Sequence, residues 1–107
     1  MIRQFISESG IEISIGKNAK GNDYLCRHSD KDEYWLHLQN DPSPHAVVHC
    51  HFEDKESLFR AAQFVKQYSK RKYDKRVNVI YCQINNLRLT KTLGLVTIIN
   101  KPNVIRV

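Results

Sequence analysis

Only one stretch of this chain has the periodicity of a long helix. Leu58, Ala61, Ala62, Val65 and Tyr68 form an apolar stripe at helical spacing, and Asp54 stands where an N-cap belongs. The apolar residues around it fall into short runs with strand character. "IEISIG" from Ile11 alternates Ile with Glu and Ser, and "RQFIS" before it can pair with it across a Glu8-Ser9-Gly10 turn. A strand is predicted over Tyr34–Gln39, then a turn at "NDPSP", whose two prolines cannot donate to a ladder. "HAVVHCHF" reads as the next strand, with Ala46, Val48, Cys50 and Phe52 on one face and His45, Val47, His49 and His51 on the other. "VNVIYCQI", "GLVTII" and "NVIRV" follow as three more, while "NDYLCRH" suits a short helix capped by Asn22 or Asp23. Strands, a helix and strands again predict an α+β fold: a mainly antiparallel sheet with one long amphipathic helix and one short helix. At 107 residues, one domain spanning 1–107 with one core is expected.

Several classes of function drop out early. No apolar run approaches the roughly 20 residues of a membrane span, and "MIRQFISESG" lacks the apolar core and cleavage site of a signal peptide. Cys26, Cys50 and Cys82 are scattered and odd in number, which argues for a reducing, cytoplasmic setting rather than a disulfide framework. They also lack the paired spacing of a structural zinc site, so neither metal nor cofactor is expected.

Charge is unevenly distributed. Up to Glu56 there are ten acids against six Lys and Arg; from Ser57 onward there are eleven Lys and Arg against Asp74 alone. That half carries +10, a candidate surface for phosphates. Lys70, Arg71, Lys72, Lys75 and Arg76 crowd the predicted end of the long helix, more than charge–dipole capping needs, and Arg88 and Lys91 extend the basic half.

"GKNAKGND", from Gly16, has the look of a phosphate loop but not the chemistry of a nucleotide-binding one. GxxxxGK[ST] requires Lys after the second glycine, and Asn22 follows Gly21. What remains is a basic turn, with Lys17, Asn18, Lys20 and Asn22, ahead of a helix N-terminus; it serves either an anion or simply the turn. Trp35 and His37 share a strand face. Either Trp35 is an exposed stacking platform with His37 beside it, or it is core with His37 hydrogen-bonded near a loop. If His37 meets His45, the two line a polar pocket.

Read in order, these segments resemble the NFACT-R domain, the RNA-binding module of ribosome quality-control factors related to nuclear export mediator factor. That module also occurs alone or with a coiled-coil tail. The family's glycine–basic–Asn signature is similar to Gly16-Lys17-Asn18 through Asn22-Asp23, and its acidic-x-Trp-x-His signature to Glu33 through His37. Its Gly-Ser-His-Val segment is matched loosely by Ser43 through Val47, where Pro44 and Ala46 replace the usual Ser and Val. Ala61-Ala62, Tyr68-Ser69-Lys70, and Lys91 with Gly94-Leu95-Val96 complete the likeness. The resemblance implies a non-catalytic domain for structured RNA of tRNA or ribosomal type, although a phosphate surface alone does not separate RNA from DNA. The candidate contacts are Lys17, Asn18, Lys20, Asn22, Trp35, His37, His45, Lys70, Arg71, Lys72, Arg88 and Lys91. The alternatives are a protein–protein adaptor with a ribosome-associated partner, and a small metal-assisted nuclease using the histidine strand.

Overall fold

The computed structural model describes residues 1–107. Eight strands and two α-helices follow in the order β1 (Ile2–Ile6), β2 (Glu12–Gly16), α1 (Ala19–His28), β3 (Tyr34–Leu38), β4 (Ala46–Val48), α2 (Lys55–Gln67), β5 (Asn78–Gln83), β6 (Leu87–Leu89), β7 (Val96–Ile98) and β8 (Asn103–Arg106). Six strands make one sheet in the order β1-β2-β4-β3-β5-β8, with every neighbouring pair antiparallel; β6 and β7 form a separate hairpin. This is the α+β arrangement expected. No helix is long and apolar enough to cross a membrane.

Side-chain alternation divides the sheet into two buried faces. Ile13, Ile15, Leu36, Leu38, Ala46, Val48 and Val79 pack against Leu58, Ala61, Ala62, Phe64 and Val65 of α2. Trp35, Val47, Ile80 and Cys82 point the other way, where Leu25 and Cys26 of α1, Ile84 and the apolar side of the β6–β7 hairpin cover them. The register sets Trp35 between Val47 and Cys82, and His37 beside Ile80. One central strand therefore supplies Leu36 to one core and Trp35 to the other. The three cysteines are free and buried.

Four local expectations change. The short helix begins earlier than "NDYLCRH": Asn18, in extended conformation, caps it by accepting from the Gly21 N–H at 2.8 Å. Gly21 can sit inside this helix because the terminal strand passes close by; a Cβ there would lie 2.1 Å from the Met1 carbonyl oxygen. α2 ends at Gln67, so Lys70 to Arg76 occupy the turns after it rather than its last turn. β4 stops at Val48, and Phe52 is exposed instead of sharing the face of Ala46 and Val48. β6 was hidden in the polar stretch around Arg88, because a three-residue strand is too short for alternation to register. The Asp54 cap is as expected, accepting from the Ser57 N–H at 3.1 Å.

Candidate nucleic-acid interface

A cavity of about 560 Å³ opens on the face of the sheet away from α2. Its floor is Trp35, His37, His45 and Ile80; Gly94, Leu95, Val96 and Ile98 of the hairpin form one wall, and the Asn40–Ser43 turn forms another. Trp35 is only 2% exposed, so it is a floor and not a free platform. Its indole N–H donates to His45 Nδ1 at 3.0 Å. An indole nitrogen can only donate, so Nδ1 is bare and Nε2 carries the proton of the neutral ring, beside the Gly94 carbonyl. Burial pushes the His45 pKa down to about 3, the neighbouring His37 adds to the effect, and Asp23 opposes it.

His37 lies edge-on to His45, ring centroids 5.1 Å apart, and stacks on Trp35 at 5.6 Å. The two histidines thus meet in one pocket. His37 Nδ1 donates to the Leu38 carbonyl at 2.6 Å, which leaves Nε2 as an acceptor in the neutral ring. Burial lowers the His37 pKa, with the Leu38 carbonyl opposing. No buried side-chain nitrogen or oxygen lacks a partner, so the unpaired Nε2 faces open space.

Asn22 ties the basic turn to this pocket. Its Oδ1 accepts from the His45 backbone N–H at 3.0 Å. A Cβ on Gly16 would sit 1.9 Å from that oxygen, so Gly16 clears the space through which Asn22 reaches. Asn18 and Asn22 both hold the fold, and their motif looked like a phosphate loop because two glycines and two amides are what this close crossing needs.

A second cleft of about 380 Å³ shares Asn22, Pro42 and Ser43 with the first. Lys17 lines it from the turn after β2, Tyr68 and Lys70 from the end of α2, and Arg3 from β1. The Arg3 guanidinium lies 4.4 Å from the Tyr68 ring centre, a cation–π distance. Sequence reasoning missed Arg3; an isolated arginine in a strand within the acidic half carries no signal of its own.

The other expected cations do not join this cleft. Arg71 pairs with Asp41 at 3.1 Å and Asp74 at 3.2 Å. Lys72 lies over Tyr73 and lines a separate depression with Lys66 and Arg76. Lys20, Arg88 and Lys91 are exposed and line neither cleft. Of the cations from the turns after Gln67, Lys70 thus lines this cleft, Arg71 is held by two acids and Lys72 lines a different depression.

The histidines of "HAVVHCHF" also separate. His49 Nδ1 donates to Glu33 at 3.1 Å and its Nε2 meets the Ser14 hydroxyl at 2.8 Å, while His51 pairs with Asp30 at 3.1 Å. Asp30, Glu33 and His51 place their ligand atoms within 4.8 Å of one another, but Glu33 already accepts from the Asp30 N–H and His49. Cys26, 3.4 Å from His45 Nδ1, is pushed up to about 12 by burial, with Asp23 and Cys82 adding. A nucleophilic Cys–His pair needs a lowered thiol and a basic imidazole, the opposite of what burial produces here.

The family model of the NFACT protein RNA binding domain matches residues 1–98. The chain is 32% identical over 89 residues to the Rqc2 homolog RqcH of Bacillus subtilis (strain 168), an alignment covering 82% of this chain and 16% of that protein. Among solved structures, it is similar to the C-terminal part of the fibronectin/fibrinogen-binding protein from Streptococcus suis, with TM-score 0.91 and 25% identity over 99% of this chain and 44% of that one. The chain thus spans about one-sixth of that curated relative and under half of that solved chain.

Proposed function

The chain belongs to the NFACT protein RNA-binding domain family, and from that premise we propose that it binds structured RNA of tRNA or ribosomal type by neutralising backbone phosphates, with no chemistry of its own. The observation that carries this reading is the basic cleft. Lys17 and Lys70, far apart in sequence, line one concave surface together with Arg3. Lys17 and Lys70 are absent from the ion pairs that hold Arg71. Phosphate contacts of this kind set affinity and position rather than sequence preference. The neutral His45 and the protonated Cys26 thiol speak against a nucleophilic role for the pocket beside it.

The test is the salt dependence of RNA binding. Each phosphate contact to a single strand contributes a slope of about −0.7 in log K against log salt. The double variant Lys17→Gln, Lys70→Gln should weaken binding similarly across RNA sequences and make the slope shallower by about 1.4. Unchanged affinity and slope in a folded double variant would overturn the cleft reading; loss of a ribosome-associated protein instead of RNA would favour an adaptor.

A further inference from the structure

We propose that the cavity beside the basic cleft receives a single unpaired nucleobase, so that the two clefts together hold one extruded or single-stranded nucleotide. The inference rests on the RNA reading above and deepens it. Asn22, Pro42 and Ser43 line both spaces, so a phosphate in one places its own sugar and base at the mouth of the other. The volume, about 560 Å³, lies within the roughly 300–1,000 Å³ of small-ligand pockets.

Its lining suits a base on three counts. The floor is aromatic and apolar, with Ile80 beside the stacked Trp35 and His37 rings, and Leu95 and Val96 of the hairpin add an apolar wall beside the polar Asn40–Ser43 turn. Leu95 is 55% exposed at the mouth, an apolar rim beside a charged surface. The polar groups are mostly occupied: the Ser43 hydroxyl accepts from the Leu38 N–H and donates to the Pro44 carbonyl, and Asp41 is held by Arg71.

His37 Nε2 is left as an acceptor with no partner, and the Asn22 amide nitrogen as a donor at the junction, since Asn22 Oδ1 is engaged by His45. Every base carries an N–H on its pairing edge that His37 could accept: the amino groups of adenine and cytosine, N1–H or the amino group of guanine, and N3–H of uracil. In a duplex that edge is already bonded and stacked away. The pocket therefore selects an unpaired base without selecting a sequence, and duplex RNA retains only its phosphate contacts.

The experiment uses the full chain with short single strands of uridine, the same strands with N3-methyluridine, strands with an abasic site, and a duplex. Binding is followed both by anisotropy of labelled RNA and by the emission of Trp35, the only tryptophan in the chain. Intact single strands should bind and perturb Trp35 emission. Abasic strands and duplex should bind more weakly and leave the emission unchanged. N3-methylation, which removes the N–H donor, should weaken binding about 3–10-fold. His37→Phe keeps a ring but removes the acceptor, and should erase the difference between uridine and N3-methyluridine with the salt slope unchanged. If His37→Phe fails to fold, Leu95→Ala at the exposed rim decides, with about 3-fold weaker binding expected for intact but not abasic strands. Equal binding of intact and abasic strands, with no Trp35 response, would overturn the base pocket and leave the phosphate reading standing. Absence of binding to every RNA would overturn both.

Discussion

Acidification from pH 7 to pH 5 should destabilise this fold mainly through His45. In the folded chain its pKa is held at about 3, because the ring is buried and the neighbouring His37 adds to the effect. In the unfolded chain it returns to an ordinary value near 6.5. The unfolded state therefore takes up a proton that the folded state refuses, and stability is full above pH 6.5 and falls until pH approaches 3. At pH 5 the unfolded state gains RT ln of roughly 33, about 2 kcal/mol, and almost nothing at pH 7. His37, also lowered by burial, contributes in the same direction. The lowered carboxylates Asp23, Asp54 and Glu56 titrate below this window. Urea denaturation read by Trp35 emission and by circular dichroism at both pH values gives the difference directly. His45→Gln retains an acceptor but no titration: it should be less stable at pH 7, and its stability should change less between pH 7 and 5. An identical loss in wild type and His45→Gln would refute the assignment, as would a wild-type loss below about 0.5 kcal/mol.

Three further outcomes follow from the geometry. Trp35→Ala should cost about 3–5 kcal/mol of folding free energy in a denaturant titration, because the side chain is 2% exposed at the centre of one core. Gly16→Ala should displace Asn22 from the His45 N–H and cost about 1–3 kcal/mol, with a changed Trp35 emission spectrum reporting the altered pocket. Arg71→Gln should lower RNA affinity less than Lys70→Gln in a binding titration, because Arg71 is already paired with Asp41 and Asp74, and should shift stability by under about 1 kcal/mol.

Much of the architecture is legible in the amino-acid sequence, wherever a local rule has enough residues to act on. The stripe from Leu58 to Val65 is long enough for helical periodicity to dominate, and Asp54 caps it as its side-chain chemistry requires. Ile11 to Gly16 and Tyr34 to Leu38 alternate over enough positions for a two-residue period to stand out. Order and patterning of the signatures were enough to indicate the family. Three-residue β6 gave no such signal, and the strand at His45 was overextended because alternation continues past the point where pairing with β2 and β3 stops.

The sequence by itself determined which residues alternate, which repeat helically, and where charge accumulates, because these depend on neighbours along the chain. Tertiary structure alone decided which cations share a surface. Lys17, Lys70 and Arg3 meet because β1, the turn after β2 and the end of α2 converge, while Lys70 and Lys72, separated only by Arg71, part because the chain turns between them. It also decided that Asn22 holds His45 instead of standing free, since only the crossing at Gly16 brings the two within hydrogen-bond reach. The states of His37 and His45 were likewise beyond sequence: desolvation and the direction of a donated hydrogen bond are properties of the surrounding atoms, and those arrive only with the fold.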